Sequence, residues 1–249
     1  MQLRYYYIIF PRVAAVYKFW YASAMSSLFI VATPIGNLED MTPRAVRVLC
    51  EVSLILSEDT RVTRKLLAHF EIHTPLKSYH AHSGSRVTQD AIGLLQGGKD
   101  LALTTDAGTP GISDPGGLLV AAVVRELGDR VKIVPIPGPT AATAALSISG
   151  FPTHHFLFLG FPPQKHGRAK FFDRVASSSV TTVIYESPHR IMDALARLHE
   201  RLDSSRQIMV CRELTKIFET TYRGNVSEVT EKLKSDTIKG EFVVVISAT

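Results

Sequence analysis

The sequence predicts an α/β protein of two units, with a parallel sheet in the first, a mixed sheet in the second and a ligand cleft between them. Three observations carry this. From Leu28 onward, short apolar runs alternate with stretches of helical period, the pattern of a parallel sheet covered by helices. The pattern changes after PGPTAATAALSISG at 137–150, where a joint is expected. Further on, KIFETTYR at 216–223 alternates like an exposed strand, which suits a mixed sheet. The divisions are residues 1–27 as an N-terminal extension outside the fold, 28–138 as the first unit and 139–249 as the second.

In the first unit, strands are expected at Leu28–Thr33, Leu54–Ser57, Leu76–Tyr79, Leu101–Thr105 and Val131–Ile136. Thr42-Pro43 supplies an N-cap and a proline at the first helical position, so a helix should follow through Leu49. Further helices are expected at 62–70, at 87–96 and at 118–127, the last capped by Asp114-Pro115. In the second unit, Phe156–Phe161, Val183–Glu186, Ile208–Arg212 and Phe242–Ser247 read as strands. Helices are expected at 169–176, 191–202 and 226–234.

Composition narrows the function classes. The chain has 249 residues, 45% of them hydrophobic and 20% charged, which suits a globular protein without a long linker. The net charge is +5, but Arg4, Arg12 and Lys18 lie in residues 1–24, which hold no acid. The rest is only mildly basic, so nucleic-acid binding would need local clusters. The opening MQLRYYYIIFPRVAAVYKFWYASA is broken by Pro11 and Arg12, so no apolar run in it approaches the roughly 20 residues needed to span a bilayer. It reads as an upstream extension, with Met25 as the natural start and no membrane partner. Cys50 and Cys211 both sit in apolar contexts and read as reduced core thiols of a cytoplasmic protein. No metal is expected. The pairs His80/His82 and His154/His155 lack a metal-binding spacing, and His80 and His82 read as cleft-lining or locally bonded groups. No G-x-S-x-G elbow occurs, which counts against a serine hydrolase.

Three Gly/Pro-rich loops fall at strand ends: TPIGNLED at 33–40, TTDAGTPGISDPGG at 104–117 and PIPGPTAA at 135–142. Glycine lets backbone approach a ligand closely, and proline keeps a loop stiff before binding. Neither a dinucleotide fingerprint nor a P-loop is present. The central loop has two carboxylates, Asp106 and Asp114, and no Lys or Arg. A phosphate-free ligand with hydroxyls and a positive centre therefore fits it best. S-adenosyl-L-methionine, with its ribose, ammonium and sulfonium, has those features.

The segments VATPIGNLED, SEDTRVTRKLL, TTDAGTPGISDPG, PIPGPTAA, YESPHR, RELTK and KGEF resemble, in order, those of the tetrapyrrole methylase superfamily. More closely, they are similar to the bacterial small-subunit rRNA methyltransferase I family. The match runs from about Leu28 to Ile246, and Thr105 stands where the family pattern has Ser. The resemblance implies two α/β domains of the tetrapyrrole methylase type and a homodimer. It also implies S-adenosyl-L-methionine-dependent methylation of a cytidine ribose 2′-hydroxyl in the decoding region of 16S rRNA, within the small ribosomal subunit. Carried over by position, the cofactor contacts would be Pro34, Asp106, Gly108, Thr109, Ile112, Thr140 and Ala141.

A ribose hydroxyl is a weak nucleophile and needs a base or a nearby cation. SEDTRVTRK, YESPHR and CRELTK each follow a predicted strand. From these, Glu186, Glu213 and Lys216 are the catalytic candidates, and the choice among them stays open. Arg61, Arg190 and Arg212 are expected to engage RNA phosphate. The basic cluster PPQKHGRAK, with Lys165, Arg168 and Lys170, is expected to add backbone affinity. Two other readings remain: a precorrin-type tetrapyrrole C-methyltransferase, and a non-catalytic rRNA-binding protein on the same fold.

Overall fold

The computed structural model describes residues 25–80 and 84–249. The extension up to residue 24, and His82, lie outside the described residues. The first sheet contains β1 (Ser27–Val31), β2 (Leu54–Ser57), β3 (Leu76–Ser78), β4 (Leu101–Thr104) and β5 (Lys132–Ile136), in the order β3-β2-β4-β1-β5. Every pairing in it is parallel. β1 and β4 are apolar along most of their length and almost wholly buried, as strands covered on both faces must be. The covering helices are α1 (Pro43–Glu51), α2 (Thr60–His69), α3 (Gly84–Gln96) and α4 (Gly116–Leu127). Thr42 caps α1 by accepting from the Ala45 N–H, with Pro43 at the start of the helix. Asp59 caps α2 by accepting from the Arg61 N–H.

The strand order positions the site. After β1 the chain crosses over β4 to reach β2, and after β4 it crosses over β1 to reach β5. The loops leaving β1 and β4 therefore run past each other at the carboxyl ends of these neighbouring strands, and the crevice lies outside those ends, the usual ligand position in open α/β sheets.

The second sheet contains β6 (Phe156–Gly160), β7 (Thr181–Glu186), β8 (Gln207–Arg212), β9 (Thr220–Asn225) and β10 (Phe242–Ile246), in the order β6-β7-β10-β8-β9. Only β6 and β7 pair in parallel; the other pairings are antiparallel, so the sheet is mixed. Its two faces have different covers. Phe242, Val244 and Ile246 of β10 pack with α6 (Arg168–Ala176), α7 (Ile191–His199) and α8 (Val226–Lys234). The intervening Val243 and Val245 join a second core with α5 (Ala141–Ser149) and with Ile35 of the first loop. The alternation of side chains along a strand thus ties one face of the second sheet to the first unit.

Four expectations need correction. Residues 137–150 are not only a joint, because α5 occupies most of them and ends at Gly150 in the left-handed conformation. The strand predicted from Lys216 begins at Thr220, because Glu213 and Thr215 take positive φ (53° and 65°) and turn the chain first. Ser26 and Ser27, assigned to the extension, are buried in the first unit. There the Ser26 hydroxyl donates to Leu95 O at 2.6 Å, and the Ser27 N–H donates to Asp100 at 2.6 Å. Cys50 is exposed on α1, whereas Cys211 is buried in β8.

Candidate functional site: a crevice built from three backbone loops

The three Gly/Pro loops meet at the β4–β1 crevice. Thr33 and Gly108 exchange backbone hydrogen bonds of 2.9 and 3.0 Å, joining the first loop to the central one. The Thr33 hydroxyl donates to Thr105 O at 3.2 Å, and the Thr109 hydroxyl donates to Pro139 O at 3.1 Å. The second of these bonds joins the central loop to the third. Gly108 has φ +85°, where a side chain would strain the backbone. The predicted cofactor residues Pro34, Gly108, Thr109, Thr140 and Ala141 are therefore on segments held together by named bonds. Ile112 stays exposed near the tip of the central loop.

The wall is acidic. Asp106 accepts from the Asp59 N–H at 2.9 Å, and Glu58 accepts from the Thr105 hydroxyl at 3.0 Å. Burial pushes the Asp106 carboxyl above its ordinary range, and the Asp59 and Asp114 charges add to the push. Burial likewise raises Glu58, with Asp106, Asp114 and Asp59 adding to it against the Thr105 hydrogen bond. Asp114 shapes the loop instead, accepting from the N–H groups of Gly111 (2.8 Å) and Gly116 (2.7 Å). Such a cluster favours a cation. Among the described residues, no group of three or more His, Cys, Asp and Glu is placed to hold a metal ion.

The second unit closes the other side. The Tyr185 hydroxyl accepts from the Ala142 N–H at 3.0 Å, which fixes the start of α5. Phe158 and Phe161 pack edge-on against the Tyr185 ring at 5.0 and 5.4 Å. Thr215 Oγ1 accepts from the Asn37 N–H at 3.2 Å. Gly36 lies so close to Lys216 and Thr215 that no Cβ would fit there. The RELTK segment therefore rests directly on the first Gly/Pro loop. SEDTRVTRK and YESPHR offer Glu58 and Tyr185 only among several polar residues; their places beside Thr105 and α5 set them apart.

The polar candidates divide sharply. Lys216 bonds Glu213 at 2.8 Å and Glu241 at 2.9 Å. Partial burial acts to lower its pKa, but the two carboxylates outweigh burial and raise it. Glu213 is lowered, because its bonds to Lys216 and the Glu241 N–H outweigh burial. Glu186 is 1% exposed and is bound by Arg168 and Arg190, each at 3.0 Å, and by the Ser187 N–H at 2.8 Å. It is an internal counter-ion rather than a base for substrate. Arg168, expected to meet RNA, is 6% exposed, and its donors reach Asp193 (2.8 Å), Glu186 and Pro163 O (3.2 Å). Arg212 is 8% exposed and donates to Lys239 O at 3.0 Å beside Asp236. Neither guanidinium is presented to a ligand. Arg61 and Lys165 are exposed; Arg61 forms a 2.6 Å ion pair with Asp59, whose carboxyl its hydrogen bonds draw down to about 2. Arg190 is partly exposed while it holds Glu186.

The chain that builds this crevice is matched at residues 27–230 by the family model of the tetrapyrrole (corrin/porphyrin) methylases. Solved structures share the fold. The methyltransferase CobJ covers 90% of this chain with a TM-score of 0.68 and 19% identity, over 95% of its own length. A Thermus thermophilus uroporphyrin-III C-methyltransferase in complex with S-adenosylhomocysteine covers 88% with a TM-score of 0.61 and 18% identity, over 97% of its own length. Sequence relatives narrow the class. The ribosomal RNA small subunit methyltransferase I of Synechocystis sp. is 47% identical over 90% of this chain and 79% of its own length. That of Bacillus subtilis is 44% identical over 90% and 76%. Within the tetrapyrrole methylases, the chain belongs to the ribosomal RNA small subunit methyltransferase I family.

Proposed function

We propose that this protein uses S-adenosyl-L-methionine to methylate a cytidine ribose 2′-hydroxyl in the decoding region of 16S rRNA. It acts as a cytoplasmic homodimer on the small ribosomal subunit. The observation that carries this reading is the meeting of three Gly/Pro loops around the raised carboxylates Asp106 and Glu58, with the RELTK turn seated on the first loop. Bound there, the cofactor supplies an activated methyl group on a sulfonium. Asp106 accepts hydrogen bonds from its polar groups, while Pro34, Gly108, Thr109, Ile112, Thr140 and Ala141 line its bed.

Positioning of the acceptor against the methyl group is the main demand on the protein. Lys216 is held protonated by Glu213 and Glu241, so it steadies negative charge developing on the ribose oxygen and does not remove the proton. Glu213 is the anchor of that ammonium. Glu58, raised by burial at the wall, takes the hydroxyl proton. Arg61, Lys165 and Arg190 meet RNA phosphate.

The test is transfer of labelled methyl to small subunits lacking the modification, with naked rRNA and a precorrin as parallel acceptors. Label in subunits, mapped to a 2′-hydroxyl, supports the reading. Label only in the precorrin overturns the substrate and keeps the cofactor site. RNA binding without transfer to any acceptor points to a non-catalytic rRNA-binding protein.

A further inference from the structure

The segment between β8 and β9 carries the two most exposed large apolar side chains among the described residues, Ile217 at 91% and Phe218 at 68%. Isolated exposed apolar residues are ordinary, but these two are adjacent, at the tip of a stiff turn. The Lys216 N–H donates to Glu213 O and the Glu219 N–H to Lys216 O, both at 3.0 Å. The Thr215 N–H donates to the Glu219 carboxylate at 2.5 Å, and the Glu213 N–H donates to Glu241 O at 2.9 Å. The positive φ of Glu213 and Thr215 (53° and 65°) stores strain of the kind that collects at functional sites. Through Thr215 and Asn37 the turn is bonded to the first cofactor loop, so the tip keeps a set position relative to the crevice.

The chemistry of the tip selects its ligand. Two carboxylates, Glu213 and Glu241, hold the single ammonium of Lys216, while Glu219 accepts from the Thr215 N–H. With the ammonium already held, the tip itself offers a ligand the flat aromatic face of Phe218. Resting on the rRNA reading above, we propose that Ile217 and Phe218 form a wedge on which a nucleobase flanking the acceptor nucleotide stacks. A ribose inside folded RNA reaches an enclosed methyl group only if its nucleotide is splayed from its neighbours. An apolar side chain then fills the vacated place in the stack.

Placing p-benzoylphenylalanine at position 218 and irradiating with unmodified small subunits tests this directly. The expected crosslink lies on an rRNA nucleotide next to the one that the wild-type protein methylates. A crosslink to a second copy of the chain would make the tip a subunit interface and overturn the wedge. Methylation of the subunits without any RNA crosslink would overturn it too. Phe218→Ala should raise the KM for subunits about 10-fold and leave cofactor affinity unchanged, while Phe218→Trp restores KM. An unchanged KM in Phe218→Ala counts against stacking. Absence of methyl transfer by the wild-type protein would fall on the rRNA reading itself, whereas loss of the crosslink alone falls on the wedge.

Discussion

The β4–β1 crevice and the YESPHR segment of the second unit both place carboxylates at strand ends, yet they do opposite work. At YESPHR the carboxylate of Glu186 is neutralised by two guanidiniums, from Arg168 and Arg190. At the crevice Asp106 and Glu58 are raised by burial and by their acidic neighbours. A carboxylate bound by two guanidiniums braces the fold, and one whose acidic neighbours outweigh the nearby Arg61 charge suits a cationic ligand. Residue type does not separate the two cases, but the identity of the partner does.

The comparison breaks most visibly at the paired site. Arg168→Ala should cost about 3 kcal/mol or more, because it removes a counter-ion from buried Glu186; denaturant unfolding reads this. The same variant should leave the salt slope of RNA binding unchanged, and a reduced slope would return Arg168 to the RNA surface. At the unpaired site, Asp106→Asn should weaken cofactor binding about 10-fold or more, since a charge-assisted bond is lost; calorimetric titration measures it.

The pH behaviour sharpens the contrast. The folded pKa of Asp106 lies above its unfolded value, so the native state holds more protons. Its contribution to stability therefore declines as pH rises through that interval. The ligand-free Asp106→Asn protein should thus melt slightly higher than wild type at neutral pH while binding cofactor worse. Cofactor affinity of the wild type should rise as pH passes upward through the raised range, and Asp106→Asn should flatten that rise. Gly108→Ala should cost about 1 kcal/mol, from the strain of a Cβ at positive φ. The smallest effect belongs to exposed Lys165: Lys165→Ala should lower the salt slope of RNA binding by about one and leave the melting temperature in place.

Much of the fold was legible because local chemistry agrees with it. Thr42-Pro43 starts α1 as its capping chemistry requires, and the buried runs of β1 and β4 could only be covered strands. α5 was harder to see, because small residues in AATAALSIS mark no strong apolar stripe; Gly150 as its C-terminal stop was the available signal. The alternation at 216–223 predicts strand from Lys216, where the chain still turns, because alternation does not encode the positive φ of Glu213 and Thr215.

The sequence by itself determined the alternation of strands and helices, the three flexible-yet-stiff loops and the acidic, phosphate-averse character of the central one. These are properties of neighbouring residues and survive in any arrangement of the chain. Tertiary structure alone decided which charges meet. Arg168 and Glu186 are 18 positions apart and face each other inside the second unit, while Asn37 and Thr215 are 178 apart and join the two sides of the crevice. Pairing and burial depend on which groups fold into van der Waals reach, and that is set by sheet order and packing, not by spacing along the chain.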